Sequence, residues 1–377
     1  MSNESNPDPA RMEKRRSITK TDVQQFSSRF GKKGKFLLSA LYHFGASETV
    51  DFFHRNRLNT IVERGGRIFP ESGRAEDVLA LLLRLMKRNN VTLLTDCAIK
   101  NLSYKNHLIE RIIVDNDEIT AKNYLISTGG RSYPGTGSTG DGYQWAKQMG
   151  HRIVKPAPAL TPIVVKERWI KELEGLSLKN VMISVYQKNK KMDERFGEAL
   201  FTDVGMSGPV ILDMSKSIGQ LLARGQTDLY IDFKPALDFT MLDKRILRDL
   251  EKHKNRAIKN MLPELLPKKL IPVILRLARI NADTRGHSIT QDERKKLRLL
   301  LKQFPLKIER LKGFSKAIIT TGGVDLKEVD PKTMRSRVIN NLYFAGEVLD
   351  LDGPTGGYNL QVCWSTGYLA GESAAGT

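Results

Sequence analysis

Three glycine-rich clusters carry the residues with most chemical potential in this chain. Ser127-Thr128-Gly129-Gly130 follows an apolar run at 124–127, and Gly135-Thr136-Gly137-Ser138-Thr139-Gly140 is formally a GxGxxG. The third spans 342–371, LYFAGEVLDLDGPTGGYNLQVCWSTGYLAG. Within it, 342–345 has the pattern of a buried strand, and Gly346-Glu347 stands at its C-terminal end. Ligands of doubly wound α/β sheets bind outside such strand ends. A carboxylate there can accept hydrogen bonds from ribose or ribityl hydroxyls, and glycine lets the backbone come close. Gly356-Gly357 then precedes Asn359-Leu360-Gln361, the start of a helix rich in small residues. Free N–H groups at a helix N-terminus suit an anionic or acceptor-rich ligand edge. The alternative is a glycine-rich turn leading into a tightly packed helix.

The GxGxxG meets only part of what a dinucleotide fingerprint requires. Such a motif follows a strand at once, opens a helix and has an acid about 20 residues on. Here residues 131–134 intervene, and the first acid beyond Asp141 is Glu167. A helical pattern at 142–149 does follow, so a turn near a ligand fits better. The 2 cysteines, Cys97 and Cys363, form neither a disulfide framework nor a metal site, and the 6 histidines show no ligand spacing.

The elements that must position these clusters read as follows. Helical patterns begin at Asp22, run through 36–44, and open again at Ser47; 65–70 is a turn and 75–87 a strong amphipathic helix. Residues 91–94 read as a short apolar strand, 108–114 with 118–120 as a hairpin, and 124–127 as a strand. Between 160 and 235, short β-rich runs (163–165, 181–185, 229–231) are divided by Gly and Pro. Residues 240–303 then read as helices, and β-like, glycine-rich character returns from Ile318. This alternation is the idiom of a layered α/β domain interrupted by an insertion.

The formal charge is +19, from 61 Lys+Arg against 42 Asp+Glu. Residues 241–300 hold 16 basic against 7 acidic residues and supply +9 of it; residues 11–40, with 9 against 2, supply +7. In the first of these segments the charges interleave with Ile246, Leu247, Leu250, Ile258 and Met261, as on the solvated face of amphipathic helices. A nucleic-acid reading rests on charge alone, without zinc-finger spacing or an aromatic-plus-glycine RNA signature. Charged residues at 27% exclude wholesale disorder. No apolar run nears the roughly 20 residues of a membrane span, and the polar, basic N-terminus lacks a signal peptide's apolar core. The chain reads as cytoplasmic.

The run GEVLDLDGPTGGYNLQ, with STGGRSYPGTGSTGDGY and TTGGVDLKEVDPKTMRSR, resembles the BaiN-like (YhiN-type) family of NAD(P)/FAD-dependent oxidoreductases. ERGGRIFPESGRAEDV and LFTDVGMSGPVIL match its pattern too, and the resemblance spans about residues 16–371. It implies an FAD-binding Rossmann-like domain of the two-dinucleotide type, carrying an inserted β-barrel and a helical subdomain. The division expected is a disordered leader at 1–20, an FAD-binding α/β domain at 21–155 and 320–377, a β-rich domain at 156–238 and 304–319, and a helical subdomain at 239–303.

By the same resemblance, Thr128, Gly129 and Gly130 would lie against FAD, and Gly346 with Glu347 would contact its pyrophosphate and ribityl region. Gly356, Gly357, Asn359, Leu360 and Gln361 would serve the flavin pyrimidine edge, and Ile99 the adenine. Tyr358 and Asp352 would stand beside the flavin as candidate proton donors, with Tyr133 a further candidate. Cys363, in a packed helix, is a core residue rather than a redox partner. One departure stands out: family members open with a βαβ unit whose GxGxxG-type turn holds the FAD pyrophosphate, and no such strand, loop or acid is found here. The incomplete domain implies weak FAD retention and poor solubility.

The function implied is hydride transfer from NAD(P)H through flavin to an unsaturated or carbonyl organic substrate. The alternatives are a non-catalytic remnant that binds FAD weakly or not at all, and a nucleic-acid-associated basic protein, the less favoured of the three.

Overall fold

The computed structural model describes residues 18–19, 22–63, 65–115 and 117–376. The chain divides into two compact units, residues 1–157 with 319–377, and residues 158–318.

In the first unit, three helices lie near the N-terminus: Val23–Ser28, Gly34–His43 and Ala46–Arg55. Asp22 caps the first, its carboxylate accepting from the Gln24 N–H at 2.9 Å. The third starts at Ala46 rather than Ser47 and is capped at Gly45, whose N–H Glu48 reaches back to accept at 3.0 Å. The charged and apolar alternation of AEDVLALLLRLMKR gives Ala75–Arg88, which buries Val78 and Leu81 against Ala46, Phe53 and Ile68. Of the stretch expected to be a turn at 65–70, only the start is one. Arg67–Pro70 is a strand that pairs antiparallel with Thr60–Glu63 on one side and Ile18–Thr19 on the other. The end of the expected leader is therefore strand, and the rest of that leader lies outside the described residues.

Ile99–Lys105, Leu108–Val114 and Asp117–Ile119 form a three-stranded antiparallel sheet. Residues 91–94 are not a strand. Leu93 and Leu94 are 55% and 58% exposed, and no described strand runs beside them. A run as short as Val-Thr-Leu-Leu has no periodicity to distinguish strand from loop, and a strand forms only where a neighbour completes its hydrogen bonds.

The element that matters most for a site is a pair of parallel strands, Tyr124–Ile126 and Leu342–Phe344, in register Leu342 to Tyr124 and Phe344 to Ile126. Leu342, Phe344 and Val348 are buried in a core shared with the N-terminal helices and the long helix Tyr358–Ala375. Parallel strands are ordinarily covered on both faces.

The second unit holds a closed six-stranded barrel, in the order Ser177–Gln187, Lys190–Phe201, Gly205–Ser207, Ile163–Val165, Phe304–Leu311 and Thr227–Asp232. Inward residues alternate along Ser177–Gln187 and Thr227–Asp232, as Ile183, Val185, Leu229 and Ile231 show. The helix Pro209–Leu222, unexpected in a stretch that reads as β-rich, packs Ile211, Met214 and Ile218 into the same core. Helices Phe239–Lys252, Ile271–Ala278 and Gln291–Lys302 bury Leu242, Ile274 and Leu301 in it too. Barrel and helices thus share one core. No described helix is long and apolar enough to cross a membrane.

Two substitutions separate these environments. Leu93→Ser should leave the urea midpoint within about 0.5 kcal/mol of the parent, as at an exposed loop position. Leu81→Ala, at a position 2% exposed, should cost about 2–5 kcal/mol. Equal losses at both would mean that 91–94 is packed after all.

Candidate functional site

Both parallel strands end in glycine. After Ile126 the chain passes through Ser127 and Thr128 to Gly129, whose φ of +72° is left-handed; after Phe344 it passes through Ala345 to Gly346, at φ +76°. Together the two ends deliver Ser127, Gly129, Gly346 and Glu347 to one groove of about 470 Å³ within the first unit.

Glu347 is the chemical centre of this arrangement. Its Oε1 accepts the backbone N–H of Thr320 at 2.8 Å. The Thr320 hydroxyl in turn accepts the Arg131 N–H at 2.7 Å and lies 3.1 Å from the Ser132 hydroxyl. Gly130 sits inside this knot: a Cβ there would collide with Glu347 Oε1 and with Thr320 Oγ1. Behind it, the Tyr143 hydroxyl donates to the Glu347 carbonyl at 3.3 Å. Burial pushes the Glu347 carboxyl above its ordinary value of 4.5, and the hydrogen bonds from Thr320 only partly counter that. Burial also raises Tyr143, with the Glu347 charge adding to the effect.

The groove walls were not legible in the sequence. Phe44, Phe52, Phe53, Leu82, Trp364 and Tyr368 line it, Phe44 stacking on Tyr368 at 4.4 Å and Phe53 meeting Trp364 edge-on at 5.5 Å. They come from three separate helices and, for Phe44, from the C-terminal cap of a fourth, so only tertiary packing brings them together. Cys363 also lines the groove; burial pushes its thiol up to about 12, with Glu347 contributing, so it stays protonated at neutral pH.

Other expected site residues lie elsewhere. Thr128 packs its hydroxyl against Gly142, and Ile99 pairs with Val114 and packs on the core without lining the groove. Asn359 holds its own loop, accepting the Gly353 N–H at 2.8 Å and donating to the Gly353 and Pro354 carbonyls. Gly356 and Gly357, both at positive φ, shape that same turn, and Leu360 is half-buried behind it. Gln361 is buried and donates to Thr49 Oγ1 at 2.9 Å and Ser365 Oγ at 3.0 Å, bracing helix against helix. Asp352 accepts from Thr321 Oγ1 at 2.8 Å and lies 3.6 Å from Lys33 Nζ. The ring of Tyr358 packs on Phe26. Tyr133 is a left-handed residue whose hydroxyl is raised by burial. In the GxGxxG, Gly137 and Gly140 turn the chain into helix Asp141–Gln148.

One buried polar atom of the groove lining, Trp364 Nε1, has no partner among the described residues. With Glu347 and the aromatic walls it fits a flat ring system bearing hydroxyls. The diphosphate of a dinucleotide finds no Lys or Arg among the lining residues. The fit to FAD is therefore to its ring and hydroxyl portions.

A mixed α/β chain whose parallel strands end in glycine at a ligand-sized groove has the architecture of the Rossmann-like proteins. The chain belongs to the family described as HI0933-like protein Rossmann domain, which matches residues 16–373; the motifs of the sequence pointed to this family. It is 33% identical over 348 residues to the 3-dehydro-bile acid delta(4,6)-reductase of Clostridium scindens, covering 92% of this chain and 84% of that protein. It is 28% identical over 349 residues to the ribosomal RNA dihydrouridine synthase of Haemophilus influenzae, covering 89% and 83%. Against the Escherichia coli protein of the same name it is 26% identical over 339 residues, covering 89% and 81%.

Two outcomes test the Glu347 knot. Gly130→Ala should destabilise the first unit by about 1–3 kcal/mol, because the carboxylate and the threonine hydroxyl it would strike are both fixed. Glu347→Gln should be more stable than the parent at pH 8. A raised carboxyl favours the fold while protonated, so the parent's stability is fully present below 4.5 and is lost as pH rises through the higher folded value. The gap between variant and parent should open above pH 4.5 and then level off; a gap independent of pH in urea titrations would contradict the burial argument.

Proposed function

We propose that this chain is a flavin-dependent oxidoreductase that saturates a carbon–carbon double bond conjugated to a carbonyl. The observation that carries the reading is the convergence of Gly129, Gly346 and the buried Glu347 on an aromatic groove at the C-terminal ends of two parallel strands. Family membership supports it, and so do the relatives' names, which share one chemistry: a bile acid delta(4,6)-reductase and a dihydrouridine synthase both reduce a ring double bond. A bound flavin supplies the hydride relay, so that NAD(P)H and one proton are consumed per bond saturated. In this reading Glu347 accepts a hydroxyl of the cofactor, its position fixed by Thr320. The groove aromatics exclude water and present flat faces to rings, and the Trp364 N–H meets an acceptor. Asp352 is engaged by Lys33 and Thr321, which leaves it poorly placed to serve as the proton donor.

A second reading, in which the substrate is RNA, is supported by charge. Residues 158–318 hold 32 Lys+Arg against 19 Asp+Glu, so the second unit supplies +13 of the total +19. Two of the relatives carry a ribosomal RNA name.

The first test is the visible spectrum of the purified chain before and after incubation with excess FAD and desalting. Retained flavin bands, weakened in Trp364→Phe, are expected. A chain that stays colourless would sink the flavin reading. With flavin retained, NADH and NADPH oxidation is measured against an unsaturated ketone and against a uridine-containing ribosomal RNA transcript. Turnover with only one of the two acceptors decides between the substrates.

A further inference from the structure

The second unit carries a cleft that the proposed reductase site does not use. Strands Ser177–Gln187 and Thr227–Asp232 pair antiparallel, with Met182 opposite Asp232 and Ser184 opposite Tyr230. Their inward residues fill the barrel, so Ser184, Tyr186, Tyr230 and Asp232 stand on its outer face. That face is closed into a cleft of about 330 Å³ by Phe239, which starts one helix, and by Lys302, which ends another. The volume falls at the lower end of the roughly 300–1,000 Å³ typical of small-ligand sites.

The lining is unusual for the outside of a barrel. Tyr186 and Tyr230 meet edge-to-face at 5.2 Å, and neither hydroxyl bonds to a described residue. Phe239 offers a third ring and is substantially exposed. Polar groups at the edges are held rigidly. Ser184 Oγ donates to Glu194 at 2.7 Å, and Lys191 Nζ lies 2.8 Å from the same carboxylate oxygen. Lys302 pairs with Asp232 at 2.5 Å and donates to the Leu237 carbonyl at 2.6 Å. Beside Phe239 the balance is positive: Arg294 and Arg298 lie 3.2 and 3.3 Å from one oxygen of Asp243, which can neutralise only one of them. The Arg298 guanidinium also lies 5.8 Å from the centre of the Phe239 ring.

We infer that this cleft binds a nucleotide, its base against the Tyr186, Tyr230 and Phe239 rings and its phosphate toward Arg298, with single-stranded RNA as the source. Aromatic platforms beside cationic rims are how single strands are held, because every base has a stackable face and every residue a phosphate. Glu194 and Ser184 then offer hydrogen bonds to the base edge. The inference rests on the RNA reading of the substrate and gives that reading a place on the second unit, separate from the groove where reduction is proposed.

The test is fluorescence anisotropy of a labelled single-stranded uridine oligonucleotide with the full chain, titrated at several salt concentrations. Tyr186→Ala and Tyr230→Ala should each weaken binding roughly tenfold or more, whereas Tyr230→Phe keeps the ring and should bind as the parent does. Arg298→Ala should flatten the salt dependence by about 0.7 in log–log slope, one phosphate contact's worth. Because it removes a charge paired with Asp243 and leaves every residue lining the cleft in place, it also carries the test should a tyrosine variant fold poorly. Free uridine monophosphate should compete only at far higher concentration than the oligonucleotide. A parent that binds RNA while Tyr186→Ala, Tyr230→Ala and Arg298→Ala all bind it equally well would overturn the cleft but leave the RNA reading standing. A parent that fails to bind at low salt would overturn both. Competition by the mononucleotide at the oligonucleotide's own concentration would overturn RNA as the source.

Discussion

The carboxylate of Glu347 sets the terms for the first unit. A buried acid costs several kcal/mol unless it is hydrogen-bonded or neutralised; here the Thr320 N–H binds it, and burial still raises its affinity for a proton. Meeting that cost dictates the local chain. Thr320 must stand where it does, so its hydroxyl is available to Arg131 and Ser132. Gly130 must lack a side chain, and the loop leaving strand Tyr124–Ile126 must pass within contact of the loop leaving Leu342–Phe344. An apolar residue at 347 would remove every one of these constraints and cost nothing in desolvation. A fold that instead retains a destabilised acid, aimed at a groove, has the signature of a site held for function rather than stability.

How much of this was readable follows from the range of the interactions involved. Local periodicity announced Ala75–Arg88 almost to the residue, because its apolar stripe needs only its own sequence. The same logic failed at 91–94, where three apolar residues and a threonine say nothing of partners, and at Pro209–Leu222. There, VILDM and SIGQLL are as apolar as the neighbouring strands, and the Gly208-Pro209 start reads as a turn. At the site, Gly129, Gly346 and Glu347 were legible because glycine followed by an acid at a strand's end has few other uses. Thr320 and the aromatic walls were not, since nothing in their own neighbourhoods marks them. Gln361, a polar residue beside a promising glycine pair, donates to Thr49 and Ser365, contacts that its own neighbourhood in the sequence does not announce.

The two units also differ in the forces they can offer a ligand. The groove of the first unit has aromatic walls, one acid and no basic lining residue, so its attraction is short-ranged and depends on shape and desolvation. The second unit, with 32 basic against 19 acidic residues, has a field that reaches beyond contact, though only about 8 Å at physiological ionic strength. Charge of that kind accelerates encounter and tolerates many sequences, whereas a groove with one fixed carboxylate discriminates among rings. A small uncharged steroid-like substrate would gain nothing from the basic unit, and a polyanion would find nothing to hold its phosphates in the groove. The excess of +13 is therefore hard to account for if the substrate is small and neutral. Much of it lies on helical faces beside the barrel, where helix solubility would be served equally well by acids. The sign of that excess is what the RNA reading of the substrate draws on, and solvation alone leaves it open.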